Sequence, residues 1–388
     1  MIDYGSVLSK RAQSLRPSGI RKFFDLLSTM DDVISLTVGQ PDFVTPWHIR
    51  EAAIDSLERG RTYYTGNAGT LELRRGIADY LDRRFSLSYD PTSEIIVTVG
   101  GSEAIDMAIR ALVDPGDEVI VPVPSFVCYG PLVTMAGGTP VYLETLSEDN
   151  FKLTPERLRA AITEKTKLLV LPFPNNPTGA ILTREELSAI AEVLRGTDII
   201  VLSDEIYAEL TYGRTHTSFA TIPDMWERTI LASGFSKSYA MTGWRIGYIA
   251  APAPMAKEML KLHQYGIMCA PTTSQFAALE AIKNGDEDIE MMRAEYDRRR
   301  SYLLSGLREL GIECFPAEGA FYLYPYIGKY GLSSEEFCER LLNEGRCAIV
   351  PGTAFGDAGE GYARISYAYS MRHLEEALHR IEGFLKTL

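Results

Sequence analysis

Seven short apolar segments alternate with amphipathic segments between residues 94 and 252 of this chain. The apolar segments are rich in Ile, Val and Leu and comprise residues 94–99, 118–122, 140–143, 167–174, 199–205, 229–235 and 246–252. Continuous runs of this kind are typical of strands that are buried on both faces. The amphipathic segments between them, such as 102–113 and 183–196, have helical periodicity. The alternation predicts an α/β fold, a three-layer sandwich with a mostly parallel seven-stranded sheet between helices.

The sequence changes character after the last of these apolar segments. A long helical pattern covers residues 287–310, and two strand-like segments, GAFYLYPYI and YARISYAYS, follow it with helices between and after them. A chain of this length is expected to form two domains. We expect a large domain over residues 46–286, a smaller α+β domain over 287–388, and an N-terminal arm over 1–45 that contributes part of the small domain.

Composition and charge argue against several classes of partner. The 388 residues carry a formal net charge of −13, which disfavours nucleic acid or an anionic membrane as a main partner. The sequence has no run of about eighteen apolar residues that would span a membrane and no apolar signal segment, so we expect a cytoplasmic protein. The five cysteines and five histidines are scattered, and their spacing predicts no disulfide framework and no metal site.

Polar residues follow the predicted strands at the edge where α/β sheets bind ligands. The first strand leads into Gly100, Gly101 and Ser102, where a glycine turn and a helix start could bind an anion. The same residues could be an ordinary turn with Ser102 as the helix N-cap. A later strand leads into PNNPTG, where Asn175 or Asn176 could present an amide to the same cleft or simply form a turn.

Two further strand ends carry charged groups. Asp204, with Tyr207 three residues later, could be an electrostatic partner for a ligand or an N-cap acid. Lys237 could be a surface lysine, but partial burial would lower its pKa and make it a nucleophile for a carbonyl. Arg245 could bind a phosphate through its forked guanidinium. Because all of these groups fall on one sheet edge, together they suit an aromatic, phosphorylated aldehyde.

These motifs resemble those of the class I/II aminotransferases, the fold-type-I pyridoxal-phosphate enzymes. The resemblance covers essentially the whole chain and includes YTGNAGTLELR, VTVGGSEAI, FPNNPTGAIL, SDEIYAELTY, SGFSKSYAMTGWRIGY and ARISYAYS. Within the family, the chain is most similar to bacterial N-acetyl-L,L-diaminopimelate, aromatic and aspartate aminotransferases. The segments SGIRKFFDLL and VISLTVGQPDFVTP are most similar to the first of these.

The resemblance implies a role for each matching position. Lys237 would bind pyridoxal 5'-phosphate as a Schiff base and transfer the proton, while Asp204 would pair with the pyridine nitrogen. Tyr207 and Asn176 would hydrogen-bond the phenolic oxygen of the cofactor, and Phe126 would stack on its ring. The phosphate would be bound by Gly101, Ser102 and Arg245, together with Tyr64 of the partner subunit. Arg364 and the backbone of Gly39 would bind the substrate α-carboxylate. Gly234 stands where some relatives have a phosphate-binding serine, and whether Ser236 replaces it is left open.

The implied reaction is a ping-pong exchange between an L-amino acid and a 2-oxo acid such as 2-oxoglutarate, in a homodimer with shared active sites. The donor stays open among aromatic amino acids, aspartate and an N-acetyl-diaminopimelate-like compound. Phe23, Phe24 and Tyr129 either lie near the substrate mouth or are ordinary core aromatics.

Three other functions are compatible with parts of this sequence. A C–S β-lyase would use the same lysine, aspartate and arginine, although AMTGWRIGY favours a transaminase. A non-enzymatic sensor, as in aminotransferase-like transcription regulators, would need a basic DNA-binding module, for which the family match leaves no room. An NAD-linked enzyme is disfavoured because no GxGxxG follows the first strand.

Overall fold

The computed structural model describes residues 1–15, 30 and 32–388. Phe23 and Phe24, expected either near the substrate mouth or in the core, lie outside the described residues. The N-terminal part contains two short helices, α1 (Tyr4–Val7) and α2 (Lys10–Ser14), and a two-residue strand, β1 (Ile34–Ser35).

A seven-stranded sheet follows, and it confirms the predicted α/β architecture. Its strands are β2 (Ile95–Thr98), β3 (Glu118–Val123), β4 (Thr139–Glu144), β5 (Thr166–Leu171), β6 (Ile200–Asp204), β7 (Thr229–Gly234) and β8 (Gly247–Ala250). They lie in the order β2-β8-β7-β6-β5-β3-β4. Only β8 runs antiparallel to its neighbours, β2 and β7, so the sheet is mostly parallel.

Helices cover both faces of this sheet. They are α3 (Trp47–Glu58), α4 (Leu71–Phe85), α5 (Gly100–Leu112), α6 (Tyr129–Ala136), α7 (Pro155–Ala161), α8 (Arg184–Leu194), α9 (Ala253–Gly266) and α10 (Thr272–Asn284). Leu168 and Val170 of β5 pack in one apolar cluster with α5 and α9. The alternate residues, Leu169 and Leu171, pack in another cluster with α8. Since successive strand residues point to opposite faces, this division produces the three layers.

The C-terminal part is built around three helices and short strands. In chain order these are α11 (Asp286–Glu309), β9 (Tyr322–Leu323), α12 (Ser334–Gly345), β10 (Cys347–Ala348), β11 (Val350–Pro351), β12 (Ala363–Ser366) and α13 (Met371–Leu385). Strands β11, β12 and β9 form an antiparallel sheet, and the two strand-like segments of the sequence supply β9 and β12. This α+β part confirms the smaller second unit of the predicted fold.

The N-terminal strand belongs to the C-terminal part of the molecule. Strand β1 pairs in parallel with β10. Leu36, just after β1, packs in the same apolar cluster as residues of α11, α12 and α13.

The exact domain limits at residues 45 and 286 stay a prediction. No helix within the described residues has the length and apolar character needed to cross a bilayer.

Candidate active site

A cleft of about 350 Å³ lies at the carboxyl ends of the parallel strands, where the sheet meets the C-terminal part. Of the positions for which the resemblance implies a contact with the cofactor or the substrate, all but one line it. They are Gly39, Gly101, Ser102, Phe126, Asn176, Asp204, Tyr207, Ser236, Lys237, Arg245 and Arg364. The exception is Tyr64, which lies outside this cleft with 78% of its surface exposed. Its predicted contribution to a partner subunit stays a prediction.

Lys237 follows β7 and points into the cleft. Its Nζ donates a hydrogen bond of 2.6 Å to the carbonyl oxygen of Gly39. Burial, together with the nearby cations Arg364 and Arg245, lowers the pKa of Lys237 from 10.5 to about 8, while Asp204 acts against this shift. A lysine in this state supplies a substantial fraction of neutral amine near pH 8, which is the form that attacks a carbonyl.

Asp204 ends β6 as a buried carboxylate. Its Oδ2 accepts a 2.6 Å hydrogen bond from the hydroxyl of Tyr129, and its Oδ1 accepts the amide of Ile206 at 3.2 Å. Burial raises the pKa of Asp204 above its ordinary value, and the hydrogen bond from Tyr129 is the main opposing influence. Tyr129 was predicted near the substrate mouth or in the core; it is buried, lines the cleft and contacts this carboxylate.

Arg364 extends from β12 into the cleft and is only 3% exposed. Its Nη1 donates to Asn176 Oδ1 at 3.0 Å and its Nη2 to the carbonyl of Thr37 at 2.5 Å. Its Nε is buried and has no hydrogen-bond partner among the described residues. The described residues also offer it no carboxylate, so a buried cation lies here with an unused donor. Such a group favours an anionic ligand.

Two adjacent asparagines have different functions in the loop after β5. Asn175 Oδ1 accepts the backbone N–H of Thr178 at 3.1 Å and its hydroxyl at 2.9 Å, so it stabilises the turn. Asn176 instead lines the cleft and contacts Arg364. The alternative left open by the sequence is thus resolved in favour of Asn176 as the residue that faces the cleft.

Tyr207 lies on the side of the cleft formed by the C-terminal part. Its hydroxyl is 2.9 Å from the hydroxyl of Tyr322, which also lines the cleft. Burial raises the pKa of Tyr207 well above its ordinary value. The phenol therefore stays neutral and can donate a hydrogen bond to an oxygen of a ligand.

The start of α5 and Arg245 form an anion cradle, which we define as residues 100–102 with the Arg245 guanidinium. Helix α5 begins at Gly100, two residues before the predicted start, so Ser102 lies in the first turn and is not the N-cap. Gly100 has a φ of +76°, and a Cβ there would lie 2.6 Å from Nη2 of Arg245. The glycine therefore lets the guanidinium approach the backbone beside the helix N-terminus, where unpaired N–H groups favour anions.

Gly234 is required by the sheet itself. It lies opposite Gly247 of β8, and a Cβ at position 234 would be 2.9 Å from the Gly247 Cα. A serine at this position would force the strands apart. Ser236 lines the cleft two residues later.

Sequence reasoning missed Tyr322, Thr37 and the role of Tyr129 beside Asp204. Tyr322 belongs to the strand-like segment GAFYLYPYI, and the centre of its ring lies 4.5 Å from the Arg364 guanidinium carbon. These contacts join segments far apart in the chain, and no local spacing predicts them.

Comparison with known proteins shows which family this chain belongs to. The family model "Aminotransferase class I and II" matches residues 31–381. The chain is 55% identical to the putative aminotransferase YugH of Bacillus subtilis, over 98% of each chain. It is 47% identical to a probable N-acetyl-LL-diaminopimelate aminotransferase of the same organism, over 98% of this chain and 96% of that protein.

Solved structures show the same similarity. The aromatic aminotransferase of Pyrococcus horikoshii superposes with a TM-score of 0.90 at 45% identity, over 94% of this chain and 99% of that one. Aspartate aminotransferase of Thermus thermophilus with maleate gives a TM-score of 0.92 at 41% identity, over 97% and 99%. The chain therefore belongs to the class I and II aminotransferase family, whose members are generally pyridoxal-phosphate-dependent enzymes that transfer nitrogenous groups.

Proposed function

We propose that this chain catalyses pyridoxal-phosphate-dependent transamination between an L-amino acid and a 2-oxo acid such as 2-oxoglutarate, by a ping-pong mechanism through Lys237. One observation carries the proposal. Lys237, a largely buried lysine with a pKa of about 8, shares a cleft with Arg364, a buried arginine that has no acidic partner among the described residues. The amine of Lys237 can attack a carbonyl, and the guanidinium of Arg364 can bind an anion. Together they suit a substrate that has a carboxylate beside its reacting carbon.

The residues of the cleft fit pyridoxal phosphate. The anion cradle offers helix N–H groups and a guanidinium to a phosphate. Asp204 is a buried carboxylate able to accept a hydrogen bond from a pyridinium nitrogen, and Phe126 offers an aromatic face. The neutral phenol of Tyr207 and the amide of Asn176 can donate to a phenolic oxygen. When bound, the cofactor supplies an electron sink that stabilises negative charge at the substrate α-carbon.

Lys237 is the residue that we assign to proton transfer. The neutral Nζ of Lys237 would take up the proton of the substrate α-carbon and hold it for return, while a bound cofactor would supply the electron sink for the charge left behind. Its low pKa near 8 allows the amine to act as a base at physiological pH. Burial in the cleft keeps water from competing for that proton.

Arg364 is the residue that we assign to the substrate α-carboxylate. Its Nε–H is buried without a partner among the described residues, and a carboxylate would satisfy it. The backbone of Gly39 lies beside it, because a Cβ at Gly39 would be 3.9 Å from Arg364 Nη1. A forked guanidinium binds a carboxylate through two parallel hydrogen bonds, which also orients the α-carbon.

The candidates for the amino donor come from the names of the relatives. Their names include N-acetyl-LL-diaminopimelate, aromatic and aspartate aminotransferases. Among the described residues, the cations that line the cleft are Lys237, Arg245 and Arg364. Each already has an assigned role, so in this part of the chain no further cation is left for a second substrate carboxylate.

We also propose a cytoplasmic homodimer with shared active sites. Tyr63, Tyr64, Tyr265, Ile267 and Met268 expose large apolar surfaces. Their two loops are joined by hydrogen bonds from Asn67 to the Met268 carbonyl and from Thr272 to the Tyr63 carbonyl, so they form one surface. A contiguous exposed apolar surface of this kind favours self-association, and a two-fold contact would carry Tyr64 to the other subunit.

The proposal is tested by assaying the purified protein with aspartate, phenylalanine and N-acetyl-L,L-diaminopimelate as donors and 2-oxoglutarate as acceptor. We expect the Lys237→Ala variant to lose turnover and the visible absorption of bound cofactor. Lys261→Ala, which changes an exposed lysine of α9, should retain both. Near wild-type transamination by Lys237→Ala would overturn the assignment, and release of pyruvate and ammonia from cystathionine without an acceptor would favour a β-lyase.

A further inference from the structure

A glutamate–histidine pair with a buried imidazole lies next to the anion cradle, because Glu103 directly follows cradle residue Ser102, and the proposed chemistry does not use it. Nδ1 of His263, on α9, is 2.6 Å from Oε1 of Glu103, in the first turn of α5. The His263 side chain is fully buried, and that of Glu103 is 14% exposed. Nε2 of the histidine is buried and has no partner among the described residues. The imidazole therefore has one evident function, which is to hold the Glu103 carboxylate.

The second oxygen of Glu103 is also engaged. Oε2 accepts the backbone N–H of Val99, the residue that immediately precedes α5. The carboxylate thus satisfies one of the N–H groups that a helix start leaves unpaired. Its two contacts, with the Val99 amide and with His263, engage both carboxylate oxygens and so fix the side chain in one position.

Glu103 is an anion placed beside a site for an anion. Helix N-termini attract any negative charge, so a mobile carboxylate in the first turn can accept hydrogen bonds from the same amides that a phosphate would use. It would also repel a phosphate, because the two groups carry charges of the same sign. Fixing the rotamer of Glu103 removes this competition.

We propose that His263 is a positioning residue for the cofactor: it holds the Glu103 carboxylate on the Val99 amide and so keeps the anion cradle free for the cofactor's phosphate. This inference rests on the proposed pyridoxal-phosphate function. It assigns no catalytic contact to His263. It predicts an effect that depends on the phosphate group alone.

The test compares equilibrium binding of pyridoxal phosphate and of pyridoxal, which lacks the phosphate, to the full-length protein after removal of cofactor, followed by absorbance. His263→Phe removes the donor and keeps a ring in the buried space. We expect the Kd for pyridoxal phosphate to rise roughly tenfold, as expected for the loss of one hydrogen bond to a charged group. The Kd for pyridoxal should not change.

A second substitution separates positioning from simple structural damage. In the His263→Phe background, Glu103→Gln removes the competing charge, so the affinity for pyridoxal phosphate should return to near the wild-type value. His48→Phe is the control, because His48 also contacts two carboxylates, Glu280 and Asp288, but does not line the cleft. It should change neither Kd.

The outcomes are distinguishable. Equal losses for both ligands in His263→Phe, no loss for either, or no recovery on adding Glu103→Gln would overturn the positioning role. If His263→Phe does not fold, the single variant Glu103→Gln tests the positioning role instead. The inference predicts that its Kd for pyridoxal phosphate is no higher than that of the wild type. A tenfold rise in this Kd would overturn the inference. Failure of the wild-type protein to bind pyridoxal phosphate at all would instead refute the proposed function, and the inference with it.

Discussion

The hydroxyl of Tyr129 donates a 2.6 Å hydrogen bond to Oδ2 of Asp204, inside the cleft and away from solvent. Burial alone raises the pKa of this carboxyl, and the hydrogen bond from Tyr129 acts against that rise. The tyrosine therefore helps Asp204 to stay ionised. An ionised Asp204 is what the proposed pairing with a pyridinium nitrogen requires.

Replacing Tyr129 with Phe should move the acid limb of the pH–rate profile upward. Without the hydrogen bond to its charged form, Asp204 becomes protonated at a higher pH, by about one pH unit for a bond of ordinary strength. Activity is then lost earlier as the pH falls, while the rate above the new limb changes little. The kcat profile between pH 5 and 9 measures this, with Tyr142→Phe, an exposed tyrosine, as control. An unchanged acid limb would contradict the role given to Tyr129.

Replacing Arg364 with Lys should weaken substrate binding much more than cofactor binding. In the wild-type protein, the forked guanidinium contacts Asn176 and Thr37 and still has Nε free for a carboxylate. Lysine keeps the positive charge but has no such fork. We expect KM for the amino acid and the 2-oxo acid to rise about thirtyfold to hundredfold, or about 2–3 kcal/mol. The Kd for pyridoxal phosphate should stay within about twofold of the wild-type value. A parallel loss of cofactor affinity would argue against a substrate-binding arginine.

The large sheet could be predicted well because each strand is indicated by a short run of apolar residues in its own stretch of sequence. Each of the seven apolar segments became a strand within a few residues of the predicted limits, since a strand buried on both faces must be apolar throughout. The start of α5 was placed two residues late. The glycines at 100 and 101 are untypical of a first helical turn, so the sequence does not indicate it. The capping group of this helix is the side chain of Glu103, one residue after the expected cap, Ser102.

The parts of the candidate site that could be predicted are the functional side chains that directly follow a strand. The contacts between segments far apart in the chain could not be predicted. Asp204 and Lys237 follow β6 and β7, so topology alone brings them to one sheet edge. Asn176 could be separated from Asn175 only by the hydrogen bonds that each one makes. The contact between Tyr207 and Tyr322 spans over a hundred residues of chain, and only folding reveals it. Tyr64 does not line the cleft of the chain that carries it, so its predicted contact with the phosphate requires a second subunit.

Replacing Gly100 with Ala should damage the anion cradle. Position 100 has a φ of +76°, which costs an alanine about 1 kcal/mol or more, and its Cβ would lie 2.6 Å from Arg245 Nη2. The guanidinium would have to move away from the helix start. We expect a severalfold higher Kd for pyridoxal phosphate and a modest loss of stability, measured by absorbance titration and urea unfolding. Gly116→Ala is a matched control, because it has a φ of +105° with open space around it and so shares the backbone cost alone. Equal cofactor affinity in the two variants would refute the role of Gly100.

Replacing Lys237 with Met should stabilise the cofactor-free protein in a pH-dependent way. The pKa of Lys237 falls from 10.5 in the unfolded chain to about 8 in the fold, mainly through burial. Below pH 8 the lysine is charged in both states, so the fold bears the full cost of burying that charge. Above pH 10.5 it is neutral in both states and the cost disappears. After allowing for the lost hydrogen bond to Gly39, we expect the variant to gain about 2 kcal/mol at pH 6–7. That gain should shrink as the pH rises from 8 to 10.5, and urea unfolding across this range measures it. A gain that does not depend on pH would mean that Lys237 is not a buried, titrating amine.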